Sequence, residues 1–320
     1  MKYGAVSGVE KEVSRLGQGC MMLADGDGQK RSNEILDTAR SCGITLFDHS
    51  HVYGGGACER AFGVWMRERG NRDELMILDK GCHPYNGEKR VTPKHIRSDV
   101  ADSLERLGVD HIDLWLFHRD DPEQPVGPLV DTLADLVATG TVGAYGGSNW
   151  THHRIEEANE YAAKHGLPLF AASSPNFSLA EQVDSPWGPD CVTISGPANA
   201  DAREWYESSG MPVLTWSSLA RGFLSGRLRR ENFETAKHEF EEHTIRCYVT
   251  DDNWKRLDRA EEVGRRHGLT IAQVALAFVL SQPMNVFALV AAYSREEAEA
   301  NAAALDVELS SEEIAYLDLL

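Results

Sequence analysis

The sequence predicts an α/β chain: a (β/α)8 TIM-type barrel behind a short N-terminal β-hairpin, with no Rossmann domain. Short apolar runs, eight in number, alternate with amphipathic helical stretches almost from end to end. That alternation is the mark of parallel strands joined by helical crossovers. The 320 residues suit one closed barrel with insertions, which typically takes about 250. Residues 1–320 therefore read as a single barrel domain. A doubly wound open sheet is the rival, but it wants a GxGxxG turn after its first strand, and "GQGCMML" lacks the third glycine.

The elements follow in order. "YGAVSGVEKEVS" predicts a small hairpin with Ser7-Gly8 as its turn. The strands are then "RLGQGC", "ITLFDHS", "LMILDKG", "IDLWLFH", "VGAYGGSN", "LFAASSP", "PVLTWSSL" and "FALVAA". Thr92-Pro93 opens a helix whose Ile96, Val100, Leu104 and Leu107 share one face. Another runs from near Thr151 to Gly166. A third starts near Thr270 and is apolar on most sides, as a buried helix is. Two connections, "SLAEQVDSPWGPDCVTISG" and the stretch from Arg221 to Asp252, exceed the usual loop length, which marks functional lids. Within the second, "RLRRENF" reads as an exposed charged helix rather than a phosphate-contacting loop.

Composition limits the partners. The formal net charge is −18. Nucleic acid and acidic membrane surfaces need basic patches, so neither is expected. No apolar run approaches the roughly 20 residues of a membrane span. Six scattered cysteines without a CxxC pair read as reduced thiols of a cytoplasmic protein.

Polar residues gather at the strand ends. Asp48, Lys80 and His118 end strands two, three and four; Ser148 and Asn149 end strand five; Trp216 and Ser217 end strand seven. In a barrel these ends meet on one face, where active sites belong. The chemistry they suit is proton delivery to a carbonyl oxygen. A free tyrosine, with a pKa of about 10, is a poor acid at neutral pH. An ammonium beside it lowers that value. Lys80 is expected to supply the charge, Asp48 to hold Lys80 protonated, and Tyr53 to act as general acid, or as base in reverse. His118 is expected to hydrogen-bond the same oxygen. The HxH spacing of His49 and His51, with His83 and His118, also suits a metal. Tyr53 and Lys80 account for the cluster without one, so no metal is assigned.

At these residues the chain resembles the aldo-keto reductases. Asp48, Tyr53, Lys80 and His118 match that family's catalytic tetrad in identity and order, "GGSN" its carboxamide-binding Ser-Asn pair, and "VLTWSSLARGFLSG" its seventh-strand segment. The resemblance implies a nicotinamide cofactor. Trp216 would stack on the nicotinamide, with Ser148 and Asn149 on its carboxamide. Gly19, Cys20 and Met21 would lie near its ribose, beside Asp48. Ser217, Ser218, Leu219 and Gly222 would surround the pyrophosphate with Arg221, and Asn301 would meet the adenine. Ser174 stands where the family usually has glutamine, and Trp216 where tyrosine or phenylalanine is common. NADP(H) is favoured on family habit, with Arg295 as a phosphate partner. Glu297, where arginine or glutamine is frequent, makes NAD(H) the competitor. The implied substrate is a small carbonyl compound or alcohol, with a lean toward sugars or other bulky polar carbonyls, met by Tyr53, His118, Arg119, Trp150 and Trp187. A cofactor-sensing regulatory subunit, like those of potassium channels, is the alternative. Oligomeric state is left open.

Overall fold

The computed structural model describes residues 1–320. Strands β1 (Tyr3–Gly4) and β2 (Val13–Ser14) pair antiparallel, with Tyr3 opposite Ser14. The turn between them closes with Val9 N–H donating to the Val6 carbonyl at 3.0 Å, across Ser7-Gly8 as the sequence predicts. Eight further strands are β3 (Leu16–Gly19), β4 (Leu46–Asp48), β5 (Met76–Gly81), β6 (Ile112–Phe117), β7 (Val142–Ser148), β8 (Ala172–Ser174), β9 (Val213–Thr215) and β10 (Val286–Val290). They form a closed barrel in the order β10-β3-β4-β5-β6-β7-β8-β9. All eight coincide with the apolar runs of the sequence. β5 and β6 are buried along their whole length, as parallel strands covered on both faces must be.

The chain divides into two compact units. The first is Met1–Ser174 with Ala291–Arg295; the second is Pro175–Val290 with Glu296–Leu320. In the first unit, α1 (Gln29–Ser41), α2 (Ala57–Arg69), α3 (Pro93–Leu107), α4 (Val126–Ala138) and α5 (His152–His165) are the main helices. The sequence signals for α3 and α5 act as predicted. The Thr92 and Thr151 hydroxyls accept the N–H groups of His95 and Arg154, and glycines in the left-handed region, Gly108 and Gly166, end the helices. Each such cap stabilises its helix by about 1 kcal/mol. α3 buries Ile96, Val100 and Leu107, and full burial of each aliphatic side chain stabilises by roughly 1.5–3 kcal/mol. Glycine is required in β7, where a Cβ on Gly146 would overlap the Ala172 carbonyl of the neighbouring strand.

In the second unit lie α6 (Ala200–Ser209), α7 (Phe233–Ala236), α8 (Glu242–Tyr248), α9 (Asp251–His267), α10 (Ile271–Leu280), α11 (Arg295–Ala303, entered from the first unit) and α12 (Ser311–Leu317). Thr270 and Gln273 form a capping box at α10, whose side chains are mostly buried. The charged stretch at 227–233 differs from expectation: it stays irregular until Phe233. Asn232 is the cause. Its amide donates to the Arg227 carbonyl at 2.9 Å and its Oδ1 accepts the Arg229 N–H at 2.7 Å, locking a turn that competes with helix. No helix is long and apolar enough to cross a membrane.

Candidate active site

Four side chains of the first unit converge. Asp48 ends β4, and Lys80 lies near the end of β5; the parallel register sets Asp48 beside Leu78. The Lys80 ammonium donates to Asp48 Oδ1, and to the His49 carbonyl at 2.8 Å. Its Nζ lies 5.3 Å from the centre of the Tyr53 ring. His118 follows β6 and is held there by its N–H, which donates to the Gly81 carbonyl at 2.8 Å. The His118 ring stands edge-on to Tyr53, 5.7 Å between centres, and to His83, at 4.8 Å. After Tyr53 the chain curls through Gly54, Gly55 and Gly56, all at positive φ (57°, 58° and 88°). Residues with a Cβ resist that region, which explains the three glycines.

Burial works against every charge here. It tends to lower the Lys80 pKa, but the charges of Asp48 and Tyr53 and the Asp48 hydrogen bond reverse this, so the net shift is upward and Lys80 is an ammonium. Burial raises the Asp48 carboxyl, and Lys80 opposes that rise. For Tyr53 burial also dominates: the phenol is pushed up to about 12, although the charge and hydrogen bond of Lys80 pull it down. The expected acidification by Lys80 is therefore present as one contribution and outweighed as a net effect. Tyr53 is a firmly protonated donor at neutral pH. His118 is held well below its ordinary value, first by burial and then by Arg119 and Lys80, so its imidazole is neutral.

His49 is fully buried, 4.3 Å from the Phe62 ring centre, and neither ring nitrogen has a partner. Burial and then Lys80 push its pKa down to about 3. Unfolded, the imidazole takes a proton near 6.5. Between these values only the unfolded state binds it, so this contribution to stability is complete above 6.5 and falls as the pH drops. The loss reaches about 2 kcal/mol at pH 5. We predict that His49→Leu flattens the dependence of unfolding free energy on pH between 6.5 and 5, measured by urea titration; an unchanged slope would exclude His49 as its source.

The other predicted residues of the first unit divide. Ser148 ends β7 and donates to the Ser174 carbonyl at 2.8 Å; Asn149, at φ 58°, donates to the His118 carbonyl at 3.1 Å. These three residues are one buried hydrogen-bonded group beside His118. Gly19 ends β3, the Cys20 side chain is buried with its thiol donating to the Gln18 carbonyl, and Met21 is exposed. Arg119 is buried and donates to the His118 carbonyl at 2.8 Å. Arg295 is exposed, 3.4 Å from the Ser41 hydroxyl. Trp150 is a correction. Its ring is fully buried, stacked on Phe117 at 5.0 Å and against Phe170 at 5.2 Å, and its N–H donates to the Arg119 carbonyl. It is a packing residue with no face for a substrate.

In the second unit, Trp216 follows β9 with its indole nitrogen buried and unpartnered. Ser217, Ala220, Arg221 and Gly222 all have positive φ. The segment is a run of tight turns, in which the Ala220 N–H donates to the Ser217 carbonyl at 2.7 Å and the Gly222 N–H to the Leu219 carbonyl at 3.0 Å. Leu219 is half-buried in it. The Ser218 hydroxyl donates to the Thr215 carbonyl at 2.9 Å. Arg221 pairs with Glu241 and lies over the Trp187 ring, and Trp187 is 5.5 Å from Trp216. Asn301 is buried in α11 and Glu297 is exposed.

Two residues escaped sequence reasoning. Ser50 lies 2.7 Å from His118 Nδ1; the signal was its place between Asp48 and Tyr53. Asn176 is fully buried and donates to the Trp216 carbonyl and Tyr248 hydroxyl, while its Oδ1 accepts from Thr193 and Ser195. Nothing in its local sequence marks it.

Comparison with known proteins identifies the family and the fold. The profile of the Aldo/keto reductase family matches residues 15–320. Aldo-keto reductase str7 of Strobilurus tenacellus is 29% identical over 309 residues, 95% of this chain and 84% of that one. A probable voltage-gated potassium channel subunit beta of Oryza sativa is 26% identical, over 96% of this chain and 92% of its own. The crystal structure of a thermostable aldo-keto reductase, Tm1743, shares the fold with a TM-score of 0.76 at 24% identity, over 100% of this chain and 99% of that chain. The chain belongs to the aldo/keto reductase family.

Proposed function

We propose that this chain, acting as a single barrel domain, is an NAD(P)H-dependent oxidoreductase that reduces aldehydes or ketones to alcohols and runs in reverse. The observation that carries this reading is the convergence of Tyr53, Lys80, Asp48 and His118 on one spot, where Asp48, Lys80 and His118 are buried and Tyr53 is half-buried. The bound nicotinamide supplies a hydride to the carbonyl carbon. Tyr53 gives its proton to the carbonyl oxygen, and the Lys80 ammonium stabilises the phenolate left behind. Asp48 holds Lys80 charged and in place. The neutral His118 donates a hydrogen bond to the same oxygen as negative charge builds on it. Ser148, Asn149 and Ser174 are assigned to the carboxamide, Gly19, Cys20 and Met21 to the ribose, Trp216 to the ring face, and 217–222 to the phosphates. Asn301 is assigned to the adenine. Trp187 and Arg119 are assigned to the substrate, a sugar or another polar carbonyl compound.

The test is steady-state NADH and NADPH consumption with aldoses, keto-sugars and nitrobenzaldehyde. Turnover with at least one supports the reading. Tight cofactor binding without turnover on any supports a cofactor-sensing subunit instead, the second reading that the likeness to the Oryza sativa channel subunit favours. NADP(H) is the proposed cofactor, with Arg295 on its 2′-phosphate and Glu297 unfavourable to it. Glu297→Arg is expected to raise the NADPH/NADH ratio of kcat/KM by about tenfold. An unchanged ratio would displace the adenosine site from this helix.

A further inference from the structure

We propose that Ser50 is a positioning residue that fixes the tautomer of His118, keeping the imidazole proton on Nε2. The inference rests on the reductase reading for its consequence, though not for its geometry. A neutral imidazole carries one proton on two nitrogens, and its partners decide which. Ser50 Oγ lies 2.7 Å from His118 Nδ1 and 3.2 Å from the Lys80 carbonyl. Its single proton can serve only one of them. If it went to the carbonyl, His118 would donate from Nδ1 and leave a bare lone pair on Nε2. A substrate carbonyl oxygen would meet that lone pair with repulsion.

The local backbone decides between these. The Lys80 carbonyl already accepts the His51 N–H at 2.8 Å, a better hydrogen bond than Ser50 offers it. The carbonyl therefore has a donor without Ser50, and the hydroxyl proton serves His118, where the distance is shorter. Ser50 is fully buried, away from the protein surface. The Tyr53 N–H donates to the Ser50 carbonyl at 3.0 Å, so the residue that sets the imidazole is tied to the proton donor. Asp48, Ser50 and Tyr53 thus come from one six-residue segment, 48–53, and fix the lysine, the histidine and the acid in turn.

The test is nitrogen NMR of the full chain carrying isotope-labelled histidine, with His118→Asn assigning the His118 signals by difference. The wild type is expected to show Nε2 protonated and Nδ1 bare. Ser50→Ala is expected to shift the proton toward Nδ1 and to lower kcat for carbonyl reduction by about 10–10²-fold, with KM and cofactor Kd little changed. Ser50→Thr, which keeps the hydroxyl, is expected to retain the wild-type tautomer. A wild-type proton on Nδ1 would overturn the proposal, and so would a tautomer unaltered in Ser50→Ala. Should Ser50→Ala fail to fold, the wild-type and Ser50→Thr spectra still decide. The spectra need no substrate, so a chain without reductase activity would refute the function and leave this assignment standing or falling separately.

Discussion

Tyr53→Phe is expected to lower kcat for carbonyl reduction by about 10²–10⁴-fold, the range a positioned general acid supplies, while NAD(P)H binding survives. Only the hydroxyl is lost, so the ring packing against His118 is kept and folding is spared. Fluorescence titration of the cofactor alongside steady-state kinetics checks both halves. Equal loss of binding and turnover would mean that Tyr53 holds the cofactor rather than the proton. The pH profile carries a second sign. The phenol is pushed up to about 12 by burial, against the pull of Lys80, so reduction should lose no rate through deprotonation of Tyr53 across the neutral range. Oxidation needs the phenolate and should gain rate as the pH rises.

Lys80→Met is expected to be the most damaging change to stability. It removes the cation and strands the Asp48 carboxylate, which is only 6% exposed. Breaking a buried pair from one side typically costs about 3–5 kcal/mol, read as a lower urea midpoint. Asp48→Asn with Lys80→Met removes both charges and should recover most of that loss. Activity should not return in the double variant, because nothing then stabilises the Tyr53 phenolate. Recovery of both together would reduce the pair to a structural role. The sign in pH follows from Lys80: its raised value means that its contribution is complete below its ordinary value of about 10.5 and is lost as the pH climbs beyond that. The wild type should therefore lose more stability in strong alkali than the double variant does.

The strands were legible because parallel strands buried on both faces leave unbroken apolar runs, as in "LMILDKG" and "IDLWLFH". Helix starts were legible at three threonine caps, Thr92, Thr151 and Thr270, while the fourth, Thr250 before α9, was passed over inside the long loop. Residues 227–233 were misread because a side chain, Asn232, completes the turn, and helix periodicity does not register such a competitor. Trp150 was misplaced for a related reason. Its neighbour Asn149 takes a positive φ, which turns the next ring away from the strand end and into the core. The identities of Asp48, Tyr53, Lys80 and His118 could be read from order and strand placement. The balance of burial against charge at Tyr53 could not, because depth is not written in the local sequence. The proton on His118 depends on Ser50 and the His51 N–H from one segment and the Lys80 carbonyl from another, and needed their distances.

Asn176 fastens the 178–196 segment through Thr193 and Ser195, the end of β9 through the Trp216 carbonyl, and α8 through Tyr248. Laboratory attempts to retailor specificity by grafting a relative's version of either long insertion would thus inherit a shared rivet. A transplant that omits the threonine or the tyrosine would unsettle the neighbouring insertion too, and screening both as a matched set is the sounder design.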